Sequence, residues 1–424
     1  MSRSEEGHGI HPLTRHAYHE SMDKVNIIAR ASALHDEKAV ASLKGGLLDG
    51  LRDASGLDIQ EVQRPTDQPT ALLVLTGGVE RDVLKVVAQL PSPILLIAHP
   101  GHNSLPASLE ILARIRQDGG EGRILFGTPE QISAGLIEEL RIAGAWEELR
   151  FSRIGLIGEP SEWLVSSDVD RAFLKGRLSI EVVEIAMDDF FRRIDGASAA
   201  KKDVNGFTKG AQAISEPEPA EIRDAVAIYG ALREVVDEHR LSACTVRCFD
   251  LVLQRQNTGC YALSRLNDER IPASCEGDLQ SMFSMFVGYL LTGQTAFMAN
   301  IASVDPEERM VGIAHCTCPL SMTSEYTIRS HFESGLGIGI SGTIPPGPCT
   351  LFRLGGERLD QLFVREGRTE ATSVREDLCR TQVHVLSDDP VDELLNAPLG
   401  NHHILLAGHH RQTIERFFKR YLKP

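Results

Sequence analysis

Ile94-Leu95-Leu96-Ile97-Ala98 leads into a segment, residues 105–115, whose apolar side chains recur at helical spacing, and then into Arg123-Ile124-Leu125-Phe126. Residues 25–29 and 72–75 are further strand-like apolar runs. This alternation of short apolar runs with helical patterns predicts a parallel sheet covered by helices. Val74-Leu75-Thr76-Gly77-Gly78 ends one such strand in glycines but lacks the GxGxxG spacing of a nucleotide loop. It is read as a tight strand-to-helix turn.

Working outward, a second unit of the same kind begins at the strand-like residues 153–157, which run into Gly158-Glu159-Pro160-Ser161-Glu162-Trp163. Residues 195–219 are polar and glycine-containing, closed by Pro217 and Pro219, and read as an exposed mobile loop. A helical face with Ile222, Val226, Tyr229 and Leu232 follows. From about Val311 the texture changes to short runs broken by Gly and Pro, at 326–331, 337–341, 350–354 and 382–386, which predicts an antiparallel, barrel-like part. The chain closes with a strand-like 404–407 and a helical 412–422. The expected fold is α/β: two Rossmann-like α/β domains, 24–152 and 153–296, followed by a β-rich, barrel-like C-terminal domain, 297–424.

Composition fits such a chain. With 424 residues, two or three domains are expected, and 42% hydrophobic with 24% charged residues is ordinary for a globular protein. A net charge of -15, without a basic block, argues against nucleic acid and anionic membranes as partners. No apolar run approaches a signal peptide or a membrane span, so a cytoplasmic location is expected. The eight cysteines form no CxxC pair and are expected as reduced thiols.

Chemistry concentrates in a few segments. In Pro272-Ala273-Ser274-Cys275-Glu276-Gly277-Asp278-Leu279, two carboxylates stand where a helix begins, its face marked by Leu279, Met282, Phe283, Phe286, Val287 and Leu290. They either cap that helix or form part of a site at its mouth. Ala296-Phe297-Met298-Ala299-Asn300 is a strand-like run ending in an amide, and His315 ends another, followed by Cys316 and Cys318. These three ligands lack the second half of a zinc site, and the cysteines read as buried thiols. Asn401, His402 and His403 precede the last strand, and His409 and His410 follow it. In an extended chain at most one of each histidine pair faces the same site.

The run from Glu276 through Leu291-Thr292-Gly293 to Asn300, together with the segment at Asn401 and His402, resembles the L-fucose isomerase family. In that family a metal-binding Glu opens a helix, a metal-binding Asp stands twenty-four residues later, and a C-terminal segment supplies a metal-binding His. Here 300 minus 276 is 24, but the position holds Asn300. The resemblance implies a metal-dependent aldose-ketose isomerase of a small-molecule sugar, with a divalent metal, Mn²⁺ first, and a homo-oligomer whose subunits share sites. It implies Glu276 as ligand and base, His402 as ligand, and Asn300 as ligand of the metal or of a substrate oxygen. A neutral amide binds a metal through its oxygen but is no base at neutral pH, so Asp278, Glu333 or a metal-bound water is expected to take that role. His315 is expected to polarise the substrate, and Trp163 either stacks on a sugar ring or is an ordinary core Trp. Two other readings stand beside this one. In the first, the substrate is an anionic, sulfonated hexose held by Arg247 or Arg329; in the second, a sugar-binding relative has lost catalysis with the Asp.

Overall fold

The computed structural model describes residues 24–423. Contacts divide the chain into two compact units, one ending at Gly144 and the other starting at Ala145. In the first unit, β1 (Lys24–Arg30), β2 (Asp58–Glu61), β3 (Thr70–Val74), β4 (Ile94–Ala98) and β5 (Gly122–Phe126) form a parallel sheet in the order β2-β1-β3-β4-β5. Side chains alternate across it. Val25, Ile27, Ala71 and Leu73 enter one core with Leu48 and Leu136, while Ile28, Leu72 and Leu96 enter another with Val83 and Ile111. Covering both faces is what makes these strands continuous apolar runs. The turn after Val74 is as expected: the Thr76 hydroxyl accepts from the Ser32 N–H at 2.8 Å, and a helix, Glu80–Val87, follows.

The second unit holds a second parallel sheet, β10-β9-β6-β7, built from β6 (Arg153–Ile157), β7 (Glu181–Ile185), β9 (Ala243–Val246) and β10 (Ala273–Cys275). It also holds a closed antiparallel barrel, β11-β12-β17-β16-β15-β18. Its strands are β11 (Phe297–Asp305), β12 (Met310–His315), β15 (Gly347–Gly355), β16 (Gln361–Glu370), β17 (Thr381–Ser387) and β18 (His402–Ala407). A three-stranded ribbon joins β8 (Ala213–Ile214), β13 (Glu325–Arg329) and β14 (Gly339–Thr343). The helix Leu279–Thr292 lies between sheet and barrel, touching β9 and β10 as well as β15 and β18, which is why it is buried nearly all round. Asp278 caps its start, and Gly293, at φ 68°, ends it. The architecture is thus mixed α/β with a closed barrel, and among the described residues no helix is long and apolar enough to cross a membrane.

Two expectations are corrected. Residues 195–219 are not a loop: they contain the helix Lys201–Gly210 and β8, which pairs with β13. Phe207 supplies the anchor, with ring centroids 4.2 Å from Tyr261 and 5.8 Å from Tyr326, whose hydroxyl donates to the Phe207 carbonyl at 2.6 Å. A single buried aromatic folds a stretch whose composition is otherwise polar. Nor are all cysteines free: Cys248 and Cys275 form a disulfide, because the parallel neighbours β9 and β10 end side by side, Val246 against Cys275.

Candidate functional site

Glu276 stands at the end of β10, where the chain must turn sharply into the helix. Glu276 and Gly277 both take left-handed backbone angles, φ 65° and 72°. The second position has no room for a side chain, since a Cβ on Gly277 would lie 2.6 Å from the Glu159 carbonyl oxygen. The turn is pinned by Gly277 N–H donating to Val246 O at 3.1 Å and Ser161 N–H donating to Glu276 O at 2.9 Å. Two residues of left-handed chain at one point are a strain that packing must hold in place.

The barrel supplies the opposite wall. β11 lies between β12 and β18, so that Asn300 pairs with His402 on one side and with Ala314, next to His315, on the other. Three adjacent strands therefore bring Asn300, His315 and His402 to one end of the barrel, facing Glu276. Glu276, Asn300, His315, His331 and Glu333 line one pocket there.

His402 is fully buried and held from both sides. Its Nδ1–H donates to Asp278 Oδ2 at 2.9 Å, and its Nε2 lies 3.5 Å from Glu276 Oε1. Burial opposes charge on this imidazole, but the hydrogen bonds and charges of Asp278 and Glu276 outweigh it and raise it to about 9. Burial likewise opposes charge on Asp278. The Arg353 guanidinium and the bonds from His402 and Ser281 win, bringing the carboxyl down to about 2. Glu276 is held below its ordinary range against burial by His402, His315 and the indole of Trp163, whose Nε1–H donates to Oε2 at 2.6 Å. Burial, then the charge of His402, pushes His315 down to about 3, so it is a neutral imidazole at pH 7.

Ligand atoms of Glu276, His315 and His402 all lie within 4.8 Å of one another. The donor chemistry suits a divalent cation: one ionised carboxylate, one neutral imidazole, and a second imidazole that would release its Nε2 proton to the ion while its far nitrogen stays fixed by a carboxylate, as in metal-bound histidines generally. Thr317 Oγ1 lies 2.9 Å from Nδ1 of His315 and fixes that ring in turn. The grouping differs from the histidine and two-cysteine set weighed for zinc. Cys318 Sγ is turned instead to the Pro319 carbonyl at 3.6 Å.

The other expected residues fall as follows. Asn300 lines the pocket, and its Oδ1 accepts from Asn401 Nδ2 at 3.0 Å. Asp278 is fully buried behind His402, where it caps the helix by accepting from Ser281 N–H at 2.8 Å, and it does not face the pocket. Trp163 is 51% exposed, so it is no core residue; its ring sits edge-on to Phe249. Arg247 and Arg329 are both engaged elsewhere: Arg247 with Glu162, Asp250 and the Pro160 carbonyl, Arg329 with Glu216 and Glu376. Of the histidine pair, His403 turns away from His402 and packs edge-on to Phe363, as alternation along a strand requires. Sequence reasoning missed Arg353, which sits inside an apolar strand with no motif around it.

The chain is similar to sulfoquinovose isomerases. It is 25% identical over 262 residues to that of Alkalicoccus urumqiensis, covering 60% of this chain and 59% of the relative. It is 31% identical over 147 residues to that of Clostridium sp. (strain MSTE9), a stretch that is 33% of each. The matches thus span less than two thirds of either relative's length. No protein-family model matches the chain.

Proposed function

We propose that this protein is an aldose-ketose isomerase of a sulfonated hexose, with a divalent cation held by Glu276, His315 and His402. The observation that carries the reading is the meeting of these three donors within 4.8 Å, with Glu276 and His315 lining a pocket and His402 buried beside them, in a chain similar to sulfoquinovose isomerases. Mn²⁺ is the first ion to test because the sequence resemblance favours it, with Zn²⁺ and Fe²⁺ beside it, since two imidazoles suit those ions. When bound, the cation supplies positive charge that polarises the carbonyl and hydroxyl oxygens of the sugar.

The chain's own groups move the protons. Glu276, kept ionised by His402 and Trp163, takes the proton from C2 of the aldose and returns it to C1 of the enediol. A second proton must pass from the hydroxyl on C2 to the oxygen on C1. Asn300 cannot carry it, and serves to hold a sugar hydroxyl. Glu333 shares the pocket, and burial together with the charge of Glu276 raises its carboxyl above the ordinary range, suiting it to give and retake that proton. Arg247 and Arg329 take no part in this scheme, since their guanidinium groups are paired with carboxylates of this chain.

The test is turnover of a matched pair of aldohexoses, with and without a sulfonate at C6, in the presence of Mn²⁺. Ketose appearing from the sulfonated sugar at the higher kcat/KM supports the reading. Conversion of neither sugar, with any divalent ion, overturns it and leaves the sugar-binding reading that Asn300 favours.

A further inference from the structure

Arg353, on β15, is among the largest fully buried side chains and carries a charge. Its Nη1 donates to the main-chain carbonyl of His402 at 2.6 Å and to Ser281 Oγ at 3.0 Å, and lies 3.6 Å from Asp278 Oδ2. Its Nη2 donates to Ser167 Oγ and Gln280 Oε1, both at 2.9 Å. Ser281 continues the chain of bonds, because the hydroxyl that accepts from Arg353 donates onward to Asp278 Oδ2 at 2.8 Å. Asp278 then accepts from Nδ1 of His402.

We propose that Arg353 is a positioning residue of this site: through Ser281 and the His402 carbonyl it fixes Asp278 and the imidazole of His402 relative to one another, so that Nε2 is presented to a cation. The inference rests on the reading that His402 is a metal ligand. Packing alone does not account for a guanidinium here, since a buried ion pair contributes no more stability than well-fitted apolar side chains of the same volume. What it adds is direction. A planar fork with several fixed donors locks the groups it bonds, which a lysine ammonium on a flexible stem does not. Both ends of the network that reach the site meet at one imidazole: its ring through Asp278, its backbone through the carbonyl. The chain also leaves the guanidinium its place, for a Cβ on Gly400 would lie 2.5 Å from Nη2.

The experiment titrates Mn²⁺ by calorimetry into metal-free wild type, Ser281→Ala, Arg353→Met and Ser167→Ala, and records the imidazole N–H signals of His402 by NMR in the same proteins. Ser281→Ala, a small change that keeps the fold, is expected to weaken Mn²⁺ by roughly tenfold and Arg353→Met by more, the range seen when groups behind a metal ligand are removed. The Nδ1–H signal of His402, protected from exchange in the wild type, is expected to broaden or vanish in both. Combining Ser281→Ala with Asp278→Asn should weaken binding no further than Asp278→Asn alone, because both act through one path. Ser167→Ala, which touches only the other fork of the guanidinium, should keep the affinity. Wild-type affinity and an unchanged Nδ1–H signal in Ser281→Ala and Arg353→Met overturn the inference while leaving the metal site standing. A wild type that takes up no cation overturns the metal reading instead, and the Nδ1–H signal then decides the positioning role by itself.

Discussion

The indole N–H of Trp163 donates to Oε2 of Glu276 at 2.6 Å, across 113 residues of chain. This bond leaves Oε1 turned to His402, 3.5 Å from Nε2. A half-exposed Trp thereby reports on the carboxylate at the centre of the proposed site.

Filling the site should change the emission of Trp163. The chain has two tryptophans, and the other, Trp146, stacks on Tyr421 with centroids 4.5 Å apart. Titrating Mn²⁺ into Trp146→Phe is expected to reproduce the wild-type fluorescence change, and titrating it into Trp163→Phe to abolish the change. The reverse pattern would place the cation away from Glu276.

Gly277→Ala should damage the turn that presents Glu276. The new Cβ would meet the Glu159 carbonyl oxygen and Pro160 Cα, at 2.6 and 2.8 Å, and the left-handed φ of 72° already disfavours any side chain. Backbone strain of this kind costs about 1–3 kcal/mol, and the clash adds to it. Denaturant unfolding should show a loss of at least about 2 kcal/mol; a loss below about 0.5 kcal/mol would mean that the turn is not held as described.

Asn300→Asp is nearly isosteric and retains an acceptor for Asn401 Nδ2, so the fold should survive. The added charge faces the pocket that Glu276 and His315 share. Divalent cations are therefore expected to bind more tightly, by roughly tenfold or more, as an opposite charge at contact range favours the bound ion. Unchanged affinity by calorimetry would take residue 300 out of the cation's reach.

Glu216 gives a pH dependence outside the site. Hydrogen bonds from Arg329, against burial, hold its carboxyl below 4.5, with help from the Ser330 N–H. A lowered folded value means stability that is complete above the unfolded value and is lost as pH falls through the folded one. Because the pair is partly exposed, the contribution is below about 1 kcal/mol. Glu216→Gln should therefore lower the melting midpoint slightly at pH 7 and flatten its fall below about pH 4.5, with kcat/KM unaltered. A fall in activity would show that Arg329 serves the substrate after all.

How far residues announce such a molecule depends on where their signal lies. Strands β1, β3, β4, β5 and β6 were legible because both faces are covered and each reads as an apolar run. β9 and β10, of four and three residues, are too short to carry a period, yet β10 aims Glu276. The helix Lys201–Gly210 escaped because one aromatic, Phe207, holds it rather than an apolar stripe. At the site, Asn300 and His315 were legible as polar residues ending strand-like runs, Glu276 as a carboxylate where a helix begins, and His402 as a histidine just before the last strand. Arg353 was not, since the groups it bonds lie 49 to 186 residues away along the chain. The ion pairs of Arg247 and Arg329 likewise exist only once the chain is folded.

The measurement closest to the central claim compares wild type with Glu276→Gln on a C6-sulfonated aldohexose and Mn²⁺ in deuterium oxide, following ketose formation and the label at C1 and C2 by NMR. The wild type should form ketose and take up deuterium at these carbons, while Glu276→Gln, folded to the same midpoint, should lose at least roughly a hundredfold in rate, the scale of a lost acid-base group. Equal rates in the two proteins, or no ketose from the wild type with any divalent cation, would contradict the account.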